Sequence, residues 1–192
     1  MFDQPPHGGF DRHFQRLARS IALLLLALLP AVPSALAQSG NPSGLPLPRF
    51  ATTRSEPINV RVGPGTKYEV AWTYLKSVIP VEIVQEFDTW RKIRDVDGAE
   101  GWVHQNLLSG TRAGYATPLL ANGEVALRAS PSDSAELRAR LGAGFKVIIK
   151  QCDAVWCDVT ASRQDDNARS ASYSGHVRQE ELWGVYPDEQ FD

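Results

Sequence analysis

One short segment occurs twice in this chain. Asn59-Val60-Arg61-Val62-Gly63-Pro64-Gly65 returns, altered, as Ala126-Leu127-Arg128-Ala129-Ser130-Pro131-Ser132, and each copy leads into an apolar run, a Trp and a Gly-x-Val step. Self-similarity over that span points to a duplicated domain and not to a repeated heptapeptide. The copies align at a shift of 67 at Arg61 and Arg128, 66 at Trp90 and Trp156, and 74 at Trp102 and His176. The change of eight is an insertion, expected in Ala161 to Ser172, where polar residues would widen a surface turn. Duplication favours binding over chemistry, because neither copy brings a set of groups that could make a reaction centre.

The first 37 residues read as a secretory leader and are set aside from the fold. Arg12, Arg16 and Arg19 precede the apolar run Ile21 to Leu29, and Ala35-Leu36-Ala37 supplies a small-x-small cleavage signal. A retained anchor is the alternative, but Pro30 and Pro33 interrupt a stretch already short of the roughly 20 apolar residues a span needs. Removing the leader takes three Arg and two Asp from 20 basic and 22 acidic residues and leaves a net charge near −3. That balance argues against a nucleic-acid partner, which calls for a concentrated basic face.

The remainder is long enough for two small domains. Gln38 to Pro48, rich in Ser, Gly, Asn and Pro, reads as a flexible linker. The pattern then turns to short strands: Ile58, Val60 and Val62 alternate, Val81 to Val84 is rich in β-branched residues, and Trp90 to Arg94 runs into a turn at Asp95-Val96-Asp97-Gly98. Ser134 to Leu141 carries a weak helical stripe, against an otherwise all-β pattern. The expected boundaries are 49–110 for domain 1, 111–187 for domain 2 and 188–192 for an acidic tail. Tyr115, Leu119 and Leu120 in the connecting segment suggest domains packed together.

Asn59-Val60-Arg61-x-Gly63-Pro64-Gly65-x-x-Tyr68, Asp88-x-Trp90-x-x-Ile93 and Glu100-Gly101-Trp102-Val103 together resemble the bacterial SH3-like domains of exported, cell-wall-associated proteins. The second copy, closing on Leu182-Trp183-Gly184-Val185-Tyr186-Pro187, looks like the companion repeat of a two-domain group. The resemblance implies two tandem SH3-like small β-barrels and a non-catalytic binding role without cofactors. It also implies a periplasmic or secreted location, with peptidoglycan or an envelope protein as partner and no membrane span after cleavage.

Trp90 and Ile93 lie three apart on an extended strand, so an inward Ile93 sends Trp90 outward. The candidate ligand residues are Tyr68, Tyr74, Trp90, Trp102 and His104, an aromatic platform able to stack on a sugar ring or a proline. Covering a loop or packing between the repeats is the alternative role for Trp90, and packing is the favoured one for Trp156. Arg61 and Arg128 occupy matching positions, either to meet a ligand carboxylate or to pair locally. Gly63-Pro64-Gly65 suits a tight turn with positive φ at glycine. Asp95, Asp97, Asp165 and Asp166 sit in turns and are most simply solvating.

His104 and Leu107 stand where eukaryotic SH3 domains carry groove-lining Pro and Tyr, so polyproline recognition is not expected. The second copy has charged Arg178 and Glu181 at those places and is expected to be the less ligand-competent. Cys152 and Cys157 bracket four residues at a hairpin tip and are expected to form a disulfide in an oxidising compartment. A catalytic thiol, a redox pair or a zinc site are the sharper alternatives. The motif spacing of none of them is present.

Overall fold

The computed structural model describes residues 41–164 and 170–192. The expected leader, residues 38–40 of the linker, and Asp165 and Asp166 lie outside the described residues. The chain is nearly all β. The first sheet contains β1 (Arg49–Thr53), β2 (Ile58–Arg61), β3 (Val70–Tyr74), β4 (Pro80–Phe87), β5 (Trp90–Arg94), β6 (Glu100–His104) and β7 (Leu108–Ser109). The second contains β8 (Ala113–Ala116), β9 (Glu124–Arg128), β10 (Leu137–Gly142), β11 (Lys146–Asp153), β12 (Trp156–Gln164), β13 (Ser170–Arg178), β14 (Leu182–Trp183) and β15 (Gln190–Phe191).

Their strand orders are β3-β2-β6-β5-β4-β1-β7 and β10-β9-β13-β12-β11-β8-β14, so each strand of one sheet has its counterpart at the same place in the other. Even the irregularities repeat. The ladder slips between Ile83 and Gln85 in one copy and between Ile149 and Gln151 in the other.

Each sheet curls around its own apolar cluster, because alternate residues of a strand face one side. Ile58, Val60, Val81, Ile83, Ile93 and Val103 fill the first, and Val125, Leu127, Val147, Ile149, Val159 and Val177 the second. The alternation stops with the strand, so Val62 is exposed in the following loop. The helical stripe at Ser134 to Leu141 is overridden: Leu137–Gly142 is an edge strand paired to β9. Its apolar spacing is met by a bulge between Leu137 and Ala139.

Among the described residues of the expected insertion, the β12–β13 hairpin is lengthened into a ladder that runs to Gln164 opposite Ser170, with hydroxyl pairs Thr160–Ser174 and Ser162–Ser172, each at 3.1 Å.

Segments expected to be loose are held. Ser43 donates from both N and Oγ to the Glu86 carboxylate, and Leu47 packs on the first core. Within the C-terminal tail Gln190–Phe191 form β15 on β11, and Gln179 Nε2 donates to the carbonyls of Tyr186, Pro187 and Glu189 just before it.

The same register position pins each hairpin by different chemistry. Glu86 faces Arg91 across β4 and β5 as a buried ion pair, with Nε and Oε1 3.2 Å apart. At the equivalent place across β11 and β12, Cys152 faces Cys157 as a disulfide. Arg91 Nη2 donates to Gln105 Oε1, and Cys157 Sγ lies 3.6 Å from Gln179 Oε1, which is Gln105's counterpart.

The two barrels meet through side chains from both. The Phe50 ring lies 5.2 Å from Trp183, edge-on, and 4.8 Å from Tyr186. Tyr186 donates its hydroxyl to Glu82 Oε1 at 2.8 Å, while Arg94 holds the other oxygen of that buried carboxylate. Arg112 pairs with Glu189 and places its guanidinium over the Phe191 and Phe50 rings. Lys146 Nζ donates to the Ser77 carbonyl. At Gly184 (φ +124°) a side chain would strike the Ala113 carbonyl at 2.4 Å, so β8 lies nearly backbone to backbone against this segment. Leu119 and Leu120, expected in this contact, are exposed, and Tyr115, also expected there, stacks on Trp183 within the second barrel.

Two stability predictions follow from the hairpin pins. Replacing Cys152 and Cys157 together by Ser should cost on the order of 2 kcal/mol in the chain-entropy picture, read as a lowered denaturant midpoint that no longer responds to dithiothreitol. For Glu86, burial alone would raise the carboxyl, but the hydrogen bonds from Ser43 and the Arg49 guanidinium hold it below its ordinary value of 4.5. Its contribution is therefore complete above that value and lost as pH falls below it through the depressed folded value. Melts between pH 7 and pH 3 should show a fall on the acid side that is shallower in Glu86→Gln, a variant already weaker by about 3 kcal/mol at neutral pH because Arg49 and Arg91 lose their shared anion.

Candidate functional site

Antiparallel pairing places Trp90 opposite His104 and Lys92 opposite Trp102, all on the face away from Ile93 and Val103. The parity expected for Trp90 is therefore the one found. The surface it makes is not an open shelf. Trp90 meets His104 edge-on at 5.6 Å, and His104 Nδ1 accepts from the Asn106 N–H, capping the 3₁₀ turn Gln105–Leu107. Trp102 is only 9% exposed, with Lys92 and Arg61 as cross-strand neighbours, so its ring supports this face and is not offered to a ligand.

Tyr68 belongs to the loop between β2 and β3. Its ring lies over Gly63, where a Cβ would come within 2.5 Å of it. Neither Gly63 nor Gly65 has positive φ; Gly63 is required by the ring that covers it. The loop hydrogen bonds Val62 N to Glu69 O, Gly65 N to Gly63 O and Tyr68 N to Gly65 O recur as Ala129 N to Glu136 O, Ser132 N to Ser130 O and Ala135 N to Ser132 O. Arg61 and Arg128 brace these loops by donating to the carbonyls of Tyr68 and Ala135. Both arginines thus act locally, through the backbone carbonyls of their own loops.

Tyr74, the fifth candidate, lies elsewhere. It lines a cleft of about 640 Å³ at the joint, together with Ile79, Pro80, Asp95, Val96 and Asp97 from the first barrel and Tyr115, Thr117, Pro118, Ala143 and Gly144 from the second. Clefts of this size with apolar walls and a few polar groups are where small ligands or peptide segments are held.

The polar groups are ordered by local turns. Asp95 Oδ1 accepts from the N–H groups of Asp97 and Ala99, and Oδ2 accepts from the Tyr74 hydroxyl at 3.4 Å. Burial, with Asp95 alongside, pushes the Tyr74 phenol up to about 12. Burial also raises Tyr115, helped by the Asp95 and Asp97 carboxylates. At neutral pH the cleft therefore presents two protonated phenols, two carboxylates and proline-rich walls.

Sequence reasoning named Tyr74 but assigned Asp95 and Asp97 to solvation and Tyr115 to packing. The strand pattern carried no sign that the connecting segment would fold back beside the Asp95 turn.

The second barrel repeats the β5–β6 face with other residues. Trp156 is buried beneath the Arg178 guanidinium, 4.6 Å from its ring, and so packs within its own barrel, not between barrels. His176 stands where Trp102 does, and a hollow of about 420 Å³ opens there between Pro131, Asp153, Asp158 and Phe191. Both cysteine sulfurs are consumed by the disulfide, which removes the thiol nucleophile that a thiol-dependent enzyme would use. Among the described residues no group of three or more His, Cys, Asp or Glu is arranged to hold a metal ion, and no helix is long and apolar enough to cross a membrane.

Residues 54–110, which hold β2 to β7 of the first barrel, match the family described as the bacterial SH3 domain. No curated protein matches the chain. Among solved structures, NlpC2 and NlpC1 of Trichomonas vaginalis are similar at 11% and 12% identity, each with a TM-score of 0.29. The matches cover 71% and 72% of this chain and 48% and 46% of theirs, so the chain spans about half the length of those structures.

The loop geometry explains a paired difference between the copies: Gly63 with Tyr68 becomes Ser130 with Ala135. Gly63→Ser alone should destabilise the first barrel by about 1–3 kcal/mol through overpacking against the Tyr68 ring. Adding Tyr68→Ala should restore most of that loss in a double-mutant cycle read by urea melts. Strict additivity of the two would show that the ring does not set the glycine.

Proposed function

We propose that this chain is an exported, non-catalytic module of the cell envelope whose two barrels act as one rigid reader, with peptidoglycan as the partner bound in the cleft between them. The observation that carries this reading is the cleft itself, which is built from both barrels and held by a buried joint. Its support is threefold. The first barrel matches a family whose sequence resemblance implies wall-associated binding. The Cys152–Cys157 disulfide suits an oxidising compartment. The phenols and carboxylates of Tyr74, Tyr115, Asp95 and Asp97 can meet the amide-rich peptides of a wall polymer. The site moves from the Trp90 face, where Trp102 is covered, to the joint, where Tyr74 was already a candidate.

A second reading is favoured by the joint. A structural or assembly role would use the Phe50, Trp183 and Tyr186 contact to hold the repeats together, with an envelope protein as the partner.

Co-sedimentation with purified sacculi tests the first reading. Wild type should pellet, and Tyr115→Ala should lose binding by roughly tenfold, the effect of a lost aromatic contact at a binding site, with its melting midpoint checked in parallel. Trp90→Ala should pellet as wild type does. Wild type remaining in the supernatant ends the wall reading. Loss with Trp90→Ala alone would return the site to the β5–β6 face.

A further inference from the structure

We propose that the cleft recognises a cation, specifically the side-chain ammonium of a lysine-type residue in an extended peptide, with Asp97 and Asp95 as its anionic partners and Tyr74 and Tyr115 as its aromatic walls. This inference rests on the reading of the cleft as the binding site and names the chemistry it selects. Its ground is a local imbalance of charge. The residues lining the cleft include two carboxylates and no Lys, Arg or His. Of the cations on neighbouring strands, Arg94 is committed to Glu82, and Lys146, whose cross-strand partner is Tyr115, donates to the Ser77 carbonyl across the joint; Lys76, near Lys146, is not among the lining residues.

The two carboxylates differ in how they are held. Asp95 is fixed by its own turn and keeps Oδ2 toward Tyr74. Asp97 is exposed, and among the described residues its carboxylate has neither a hydrogen bond nor an ion pair. Both carboxylates line the cleft with Tyr115, whose phenol is raised by burial first and by these two charges after it. An incoming ammonium would replace water with a charge-assisted contact to Asp97 and could rest against an aromatic ring. Ile79, Val96, Pro80 and Pro118 would cover its methylene stem, as long cationic side chains prefer.

A peptide is favoured over a free small amine by the size and composition of the cleft. About 640 Å³ exceeds what one ammonium and its stem fill, and the proline and alanine walls suit the residues on either side. The peptide chemistry is thus an amine-bearing residue flanked by small or apolar neighbours.

The experiment uses two soluble probes, Ac-Ala-Lys-Ala-NH2 and the same peptide acetylated on its lysine, titrated into the full chain while backbone amide shifts are followed by NMR. The free-amine peptide should shift the amides of Asp95 to Ala99 and of Gly144, and acetylation should weaken it by roughly tenfold, one charged contact's worth of affinity. Asp97→Asn, at an exposed position with no partner to lose, should weaken the free-amine peptide by roughly fivefold and flatten its salt dependence.

Equal affinity for the two peptides, shifts confined to other surfaces, or an unchanged Asp97→Asn would each overturn the inference. Sacculi before and after acetylation of their free amines separate it from the wall reading. Equal pelleting before and after keeps the wall reading and removes this inference. Peptide binding in the cleft with sacculi left in the supernatant keeps this inference and removes the wall.

Discussion

The structure depends on one nearly buried carboxylate. Glu82 is 6% exposed, and a buried charge of that kind costs several kcal/mol unless each oxygen finds a partner. Arg94, from the same sheet, takes one oxygen, and Tyr186, from the other, takes the second. Separating the barrels would remove the Tyr186 partner. Burial, followed by the neighbouring Glu82, raises the Tyr186 phenol well above its ordinary value, so it remains a donor throughout the physiological range. The carboxylate couples the two barrels in one geometry, with the Phe50 aromatic contact around it. A cleft between domains free to swing would have no fixed walls; this one does.

Much of the fold was legible because it is written in alternation. Ile58 with Val60 and Val125 with Leu127 face inward at matching positions, and the repeat of Arg61 in Arg128 fixed the alignment before any geometry was known. The boundaries of order were harder to read. Ser43 is polar and local sequence gives it no role, yet it completes a carboxylate site with Glu86, 43 residues away. The helical stripe at Ser134 to Leu141 was local propensity set against a strand ladder, and tertiary pairing won. The candidate site was legible one residue at a time but not as an assembly. Parity could place Trp90 outside, but it could not show that Trp102, on the same face, would be covered, or that Tyr74 would meet Tyr115 from the other barrel.

Duplication preserved backbone geometry and released side chains to diverge. The loop hydrogen bonds at Gly63 to Tyr68 reappear at Ser130 to Ala135 although none of the side chains at the two ends is kept. A buried ion pair and a disulfide occupy the same cross-strand position, each joining the same two strands. The fold asks only that something connect them there. In the second copy, expected to be the less ligand-competent, Trp156 is covered by Arg178, while Tyr115 to Pro118 of the connecting segment line the shared cleft.

At Gly184 the chain runs against β8 so closely that even a methyl group would meet the Ala113 carbonyl. The next residues along β8 are Gly114 and Tyr115, and Tyr115 is at once a wall of the cleft and the ring stacked on Trp183. The spacing between these two surfaces is therefore set by a missing side chain. A substitution there, far from any ligand contact, would act as a wedge, spreading the recognition surface and the joint together. A position with no chemistry of its own thus controls the distance between them.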